Sequence, residues 1–169
     1  MLMEFFRPDR FVLGTLGEPG KRRFILQISG RGQLVSVEVE KQQILKLGRR
    51  LGDVMDQLMD LGRPIPEAFA PRDMGPLDSP VDVEFKVGGI GLAWDNANSC
   101  TQIELFSEDP DDMRLIQIWL TPSRTREFVG RVERIIEAGR PACPVCGQPI
   151  FNSHICPRSN GYRRPLFHG

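Results

Sequence analysis

Residues 33–60 read QLVSVEVEKQQILKLGRRLGDVMDQLMD and contain a change from one apolar period to another. Val35, Val37 and Val39 alternate with polar residues, a period of two that is typical of a β-strand. From Lys41 onwards apolar residues recur at steps of three and four, which predicts one amphipathic α-helix. These residues are Ile44, Leu47, Leu51, Val54, Leu58 and Leu61. A strand that leads directly into a long helix favours a fold that mixes α and β elements.

Upstream of this stretch, residues 10–40 keep the period of two and are broken by glycine-containing turns at residues 17–20 and 29–33. They predict three antiparallel strands in a meander. Gly48 and Gly52 lie four residues apart in the predicted helix, where each costs up to about 1 kcal/mol relative to alanine. We therefore expect this helix face to lie close against a sheet or another helix.

Downstream, period-two segments at residues 81–87, 92–94, 101–106 and 114–120 predict a second meander, interrupted by the glycines of residues 88–91. Thr121 and Pro122 are typical of the first turn of a helix, which Gly139 would end. The predicted fold class is α+β, with an antiparallel sheet built from two meanders, two packing helices and a C-terminal zinc knuckle. We divide the chain into a body, residues 1–139, and a tail, residues 140–169.

Between the first helix and the second meander, residues 62–80 are rich in proline. The prolines at positions 64, 66, 71, 76 and 80 prevent a helix or a central strand. Two interpretations stay open: a lid over a site, or an ordered segment that crosses the edge of the sheet.

The charges of the chain are balanced overall but unevenly distributed. Its 169 residues contain 22 Lys+Arg and 22 Asp+Glu. Residues 140–169 hold four arginines and no acid, so the tail carries +4 and residues 1–139, with 18 basic and 22 acidic residues, carry −4. This distribution gives no global field that would draw the molecule to a membrane or to nucleic acid.

The expected location is the cytoplasm. No apolar run is long enough to span a bilayer. The first ten residues, MLMEFFRPDR, lack the apolar core and the cleavage site of a secretion signal.

The tail contains a compact set of metal-ligating residues. It reads CPVCGQPIFNSHICP over residues 143–157, with Cys143, Cys146, His154 and Cys156 as candidate ligands. Three thiolates and one imidazole form a complete tetrahedral set for Zn²⁺ and leave no open position for a water. We therefore expect a structural zinc. The competing interpretations are a thioredoxin-like redox pair and a set of accidental cysteines. The redox pair lacks its preceding strand and following helix in the sequence pattern, and accidental cysteines do not explain the histidine.

Residues 143–164 resemble the C-terminal signature of an uncharacterised bacterial family of unknown function. The similarity lies in CPVCGQP at one end and HICPRSNGYRR at the other, and it extends upstream to GLAWD (residues 91–95) and WLTP (residues 119–122). The resemblance implies the same four metal ligands and no established activity.

A second candidate site follows the metal ligands. Its residues are Arg158, Asn160, Tyr162, Arg163 and Arg164. Guanidinium groups bind phosphates and carboxylates, and tyrosine stacks on planar groups. These arginines would either bind an external ligand or neutralise the acidic body. We expect another protein as the partner, at most weak binding of single-stranded nucleic acid, and no membrane contact.

The sequence offers no catalytic constellation. His154 is assigned to the metal and His168 lies one residue from the C-terminus, so neither is free for a nucleophile–histidine pair. A non-enzymatic accessory or interaction protein is therefore the favoured function. The enzymatic alternative uses carboxylates on neighbouring strands to act on a phosphorylated small molecule. Those carboxylates are Asp82, Glu84, Asp95 and Glu104.

Overall fold

The protein contains seven β-strands and two α-helices within the part of the chain that the structure, a computed structural model, describes, residues 1–18 and 20–138. In chain order the elements are β1 (Leu2–Phe6), β2 (Arg10–Leu16), β3 (Arg23–Gly30), β4 (Gln33–Val39), α1 (Lys41–Asp60), β5 (Val83–Asp95), β6 (Cys100–Ser107), β7 (Leu115–Leu120) and α2 (Pro122–Ala138). By internal contacts the chain divides into residues 1–133 and 134–169. All seven strands, α1 and most of α2 belong to the first of these units.

All seven strands form one sheet in the order β1-β7-β6-β5-β4-β3-β2. The two predicted meanders, β2-β3-β4 and β5-β6-β7, are both present and antiparallel. The sheet is nevertheless mixed and not purely antiparallel, because α1 carries the chain across to a parallel pairing of β4 with β5. The α+β class is confirmed, whereas the predicted zinc knuckle lies outside the described residues.

β1 was missed by the sequence analysis. It pairs in parallel with β7 and adds a seventh strand to the sheet. Phe5 is buried at 4% exposure, but its neighbour Phe6 points to the opposite side of the sheet and is also apolar. The alternation of apolar and polar residues on which strand prediction depends is therefore absent from this segment.

β5 is one strand of thirteen residues, although the sequence analysis split it into two at its glycines. A register shift between Val87 and Gly89 absorbs the irregularity as a β-bulge. The ring of Phe106 covers the next glycines, since a Cβ added at Gly89 or Gly91 would meet it at 3.8 or 3.9 Å. A neighbouring aromatic ring thus supplies packing that the glycines lack.

The sheet is strongly curled. β1 and β2 are its two edge strands, yet residues 7–9 alone connect them. Four steps between Cα atoms span at most about 15 Å, whereas the edges of a flat seven-stranded sheet lie roughly 29 Å apart. The inner side of the curl contains the hydrophobic core.

Both helices pack on the inner side of the sheet. The ring of Phe128 in α2 stacks on Phe11 of β2 with centroids 4.4 Å apart. A Cβ added at Gly48 would lie 3.4 Å from Val132, so the predicted close approach is confirmed there. The same prediction is wrong for Gly52, which faces open space.

The first turn of α2 has the predicted cap. The Thr121 hydroxyl accepts a hydrogen bond from the Arg124 amide at 3.3 Å. One turn later, the Thr125 hydroxyl lies 2.8 Å from that of Thr101 in β6, a buried contact that joins α2 to the sheet. No helix in the described residues is long and apolar enough to span a membrane.

Residues 62–82, which we call the strap, wrap around edge strand β2. Leu77 covers Gly14 on the side of β2 that faces away from the helices, and a Cβ added at Gly14 would lie 2.5 Å from it. Gln27 of β3 fixes the next residue, because its side chain donates to the Asp78 carbonyl at 2.9 Å and accepts from the Asp78 amide at 2.7 Å. Of the two interpretations of residues 62–80, the structure supports the segment that crosses the sheet edge.

Candidate functional site

The predicted metal site lies outside the described residues, as does the second candidate site in the tail. The residues concerned are Cys143, Cys146, His154 and Cys156 for the metal, and Arg158, Asn160, Tyr162, Arg163 and Arg164 for the ligand. Both remain predictions. Within residues 1–18 and 20–138, no group of three or more His, Cys, Asp or Glu side chains is placed to hold a metal. Cys100, in that part of the chain, is fully buried.

The four candidate catalytic carboxylates do not come together. Glu84 and Asp95 lie eleven residues apart on β5, roughly 36 Å along the strand. Glu84 pairs with Arg114, at 3.1 Å between Oε2 and Nη1. Glu104 pairs in register with Gly91, four residues from Asp95, and Asp82 precedes β5 on the surface. The four carboxylates therefore do not converge in one site.

Asp95 has a structural role instead. Its carboxylate accepts hydrogen bonds from the side chain of Asn98 at 2.8 Å and from the Asn98 amide at 3.1 Å. These bonds hold the pKa of Asp95 below its ordinary value, because they favour the ionised form. Asp95 thus closes the β5–β6 turn.

A first candidate site is the side of β5, β6, β7 and β1 that faces away from the helices, which we call the outer face. Strand register sets its side chains in three rows. The rows are Leu2, Leu115, Phe106 and Gly89; Glu4, Gln117, Glu104 and Gly91; and Phe6, Trp119, Gln102 and Ala93. The two outer rows are thus largely apolar, and the middle row is polar.

Large apolar side chains on the outer face are exposed. Leu2 is 51% exposed, and Phe6 and Phe106 are each 43% exposed. The rings of Phe6 and Trp119 are 6.1 Å apart, and the Arg7 guanidinium lies 5.2 Å from the Phe6 ring centroid. Within the described part of the chain, no element covers these side chains. Several large apolar groups exposed on one side of a sheet are typical of interaction surfaces.

Besides the outer face, the described residues form a cavity of about 700 Å³ between β2, the strap and α2, which we call the arginine cleft. Its lining includes the charged side chains of Arg10, Arg72, Arg124, Arg131, Asp73 and Glu127, and the rings of Phe11, Phe69 and Phe128. Its volume lies within the range of small-molecule sites, which is roughly 300–1,000 Å³.

Arg131 forms the inner wall of the arginine cleft. Its side chain is 3% exposed, and it donates from Nε to the Leu13 carbonyl at 2.8 Å and from Nη2 to the Gly75 carbonyl at 2.8 Å. A third bond, from Nη1 at 3.0 Å, goes to the carbonyl of Asp73. Burial lowers the pKa of Arg131 below its ordinary value, while the Asp73 carboxylate acts in the opposite direction. α2 thus holds both the edge of β2 and the strap.

Asp73 is the acidic centre of this wall. Arg10 donates to it from Nε at 2.6 Å and from Nη2 at 3.1 Å, and the Gly75 amide donates at 3.0 Å. These partners, Arg10 first, hold the pKa of Asp73 below its usual value. The Glu127 carboxylate is engaged as well, because it accepts hydrogen bonds from the backbone amides of Arg72 and Asp73. Both acids of the cleft are therefore used to fix the strap.

The guanidinium groups of Arg72 and Arg124 are not used in this way. Both side chains are exposed and line the cleft. Neither makes an ion pair or hydrogen bond with another residue in the described part of the chain. The cleft thus combines a fixed, largely neutralised wall with two free positive charges at its opening.

Neither the outer face nor the arginine cleft was predicted from the sequence. Arg131 and Arg126 stand in the helical pattern of α2 where apolar residues would face the core, and this was an available signal. The cleft itself needs Arg10, Asp73 and Arg131, which lie more than 55 residues apart in the chain. No local pattern brings such residues together.

The geometry defines a mixed α+β protein with two candidate binding surfaces and, among the described residues, no catalytic constellation. Over residues 3–156 the chain matches a family described as "Protein of unknown function (DUF3090)", and it belongs to that family. The matched range covers the sheet except for Leu2 and includes all four predicted metal ligands. No curated protein matches the chain, and no solved structure matches it.

Proposed function

We propose that this protein is a zinc-binding interaction protein that acts without catalysis and binds another protein on its outer face. The observation that carries this proposal is the exposure of Leu2, Phe6 and Phe106 in the two apolar rows of one sheet side, with Phe6 beside Trp119, where no described element covers them. Aromatic residues of this kind dominate the binding energy of protein interfaces, because they bury a large area at a small cost in side-chain entropy.

The charges of the outer face favour one kind of partner. Glu4 and Glu104 are its only ionisable side chains among the twelve positions, and both lie in the middle row. Carboxylates between aromatic rows complement a segment that carries apolar and basic side chains. The two carboxylates would repel phosphate groups. Nucleic acid is therefore a less favoured ligand of this face than a protein.

A second copy of the chain is the less favourable occupant. Two outer faces in contact would bring another Glu4 and another Glu104 into the same desolvated layer. Four carboxylates would then share this layer, and the nearest guanidinium group, that of Arg7, lies against the Phe6 ring at its border. The proposal therefore commits to a different protein.

The zinc part of the proposal is supported by the ligand set of the tail. Cys143, Cys146, His154 and Cys156 would supply three thiolates and one imidazole, which fill the tetrahedral shell of a structural Zn²⁺. Bound there, the ion would supply folding free energy to a segment too poor in apolar residues to build a core. Cysteine thiols must stay reduced in order to bind the metal, which favours a reducing compartment, and we therefore propose the cytoplasm as the location.

The carboxylate-dependent enzyme is not favoured by the geometry of the described residues. Glu84 and Asp95 are far apart on one strand, and neither lines the arginine cleft. The tail arginines, Arg158, Arg163 and Arg164, remain candidates for contact with the partner or with the acidic body.

The partner is tested by co-purification followed by titration. The tagged chain is isolated from its source cells at native abundance, alongside the double variant Phe6→Ser/Phe106→Ser. Leu61→Ser is the control, because Leu61 is 78% exposed and lies outside the outer face. A protein that is retained by the wild type and the control is then purified and titrated against all three.

The expected result is that the double variant binds this protein at least about tenfold more weakly than the other two. Equal affinity for all three would overturn the assignment of the outer face. Concentration-dependent dimerisation of the wild type that the double variant loses would replace the proposed partner with a second copy.

A further inference from the structure

We propose that the arginine cleft binds a small organic phosphate with an apolar or aromatic body. This inference is independent of the outer face and of the tail. It rests on the charge, the shape and the apolar floor of a cavity that lies wholly within residues 8–131.

The charge of the cleft selects the ligand's ionic state. Four arginines and two acids line it, so its formal charge is +2. The two acids, Asp73 and Glu127, are already engaged with Arg10 and with strap amides. Arg10 is paired with Asp73 and, at 3.3 Å, with Asp78, and Arg131 lies 3.4 Å from Asp73. The two guanidinium charges without a partner among the described residues are therefore those of Arg72 and Arg124 at the opening. A phosphate monoester, which carries close to −2 at neutral pH, matches that excess, whereas a single carboxylate does not.

The apolar floor selects the rest of the ligand. Phe69 of the strap and Phe128 of α2 line the cavity, and Phe128 stacks on Phe11. The volume of about 700 Å³ far exceeds that of inorganic phosphate. A phosphate bound at the arginines therefore leaves room for an attached ring against the phenylalanines.

The cleft is formed before any ligand arrives. Arg131 holds the Asp73 and Gly75 carbonyls, and Arg10 holds the Asp73 carboxylate, so the strap that makes one wall is fixed. Binding would order only the exposed side chains of Arg72 and Arg124. A preformed site avoids the larger entropy cost of folding a loop around the ligand.

The test uses phenyl phosphate as the probe, with inorganic phosphate and phenol as its two halves. Binding is followed by calorimetry and by amide chemical shifts of the full chain. The double variant Arg72→Ala/Arg124→Ala removes the two free guanidinium groups, which make no described contact that folding would require. The matched control is Lys21→Ala/Arg22→Ala, which removes two positive charges from the β2–β3 hairpin, at the far end of β2 from Arg10.

We expect saturable binding of phenyl phosphate, at least about tenfold tighter than that of either half. The arginine double variant should lose at least about tenfold in affinity, and the hairpin control should bind like the wild type. Shifted amides should cluster on β2, the strap and the first turns of α2. Equal binding by the wild type and the arginine double variant, or no saturable binding of phenyl phosphate, would overturn the proposal.

Discussion

The Nε–H group of Arg131 in α2 donates to the carbonyl oxygen of Leu13 in β2 at 2.8 Å. A helix side chain thus occupies the hydrogen-bonding edge of the last strand in the sheet. The same guanidinium group binds the strap carbonyls of Asp73 and Gly75. One buried cation therefore joins the helix, the sheet edge and the strap, and blocks an edge that could otherwise pair with another chain.

Replacement of Arg131 by methionine should destabilise the protein. The substitution leaves the buried Leu13 carbonyl and the part-buried Asp73 carbonyl without the guanidinium donor. The Gly75 carbonyl and the Asp73 carboxylate each lose one of two arginine partners and keep Arg10. We expect the free energy of unfolding to fall by about 2–4 kcal/mol in urea denaturation. The control is Arg124→Met on the same helix, expected to stay within about 0.5 kcal/mol of the wild type. Equal effects of the two substitutions would refute this role of Arg131.

Asp73 should make stability depend on pH in the acid range. Because its pKa is lowered from 3.8 in the folded protein, the unfolded chain binds more protons below about pH 5. The stabilisation is complete above the unfolded pKa and is lost as the pH falls through the folded one. Asp73→Asn should cost about 1 kcal/mol at pH 7, because the half-exposed carboxylate is partly screened.

Denaturation measured between pH 7 and pH 3 checks this dependence on Asp73. The variant should show a shallower loss of stability than the wild type below pH 5. Asp60→Asn, at the exposed end of α1, serves as the control and should follow the wild-type curve. If the free energy of unfolding of Asp73→Asn fell below pH 5 as steeply as that of the wild type, other groups would be responsible for the acid sensitivity.

Two helical glycines should respond in opposite directions to alanine. A Cβ at Gly130 would lie 2.9 Å from the Phe69 carbonyl oxygen and 3.1 Å from Pro71, whereas a Cβ at Gly52 would meet nothing within 4 Å. Gly52→Ala should therefore stabilise the protein by about 0.5–1 kcal/mol. Gly130→Ala should destabilise it by about 1–3 kcal/mol, because the strap must shift. Thermal melts of both variants measure the difference, and a stabilising Gly130→Ala would show that the strap is not packed against α2.

Sequence patterns were sufficient for the elements with a regular period. The period of three to four residues predicted α1, and the alternation in β2, β3, β4, β6 and β7 predicted both meanders. They failed at β1, because Phe6 is apolar on the exposed side, and at β5, because a bulge and the ring of Phe106 compensate for glycines that resemble a break. Both failures lie at the outer face, where an interaction surface would replace the ordinary polar residues of an exposed strand.

The candidate sites were less predictable than the fold. The arginine cleft depends on contacts such as Arg10 with Asp73, 63 residues apart, which follow from the path of the strap and not from a motif. The ligand set Cys143, Cys146, His154 and Cys156 is the reverse case, because a compact spacing predicts it without any knowledge of the fold.

Loss of the metal ligands should spare the sheet. Cys156→Ser removes one thiolate from the predicted zinc shell, while the core of the first unit is built from residues such as Leu13, Ile103 and Phe128. We expect the zinc affinity to fall sharply and the main melting transition to shift by less than about 2 °C. Ser153→Ala, in the same segment, is the control. Loss of the main transition in Cys156→Ser would show that the tail belongs to the principal core.

The zinc content of the protein, purified without added metal, tests the central claim most directly. Atomic emission should find about one zinc per chain in the wild type and almost none in Cys143→Ser/Cys146→Ser. A thiol-modifying reagent should release the metal from the wild type in the same proportion. Wild-type protein that is folded, reduced and free of zinc would contradict the account.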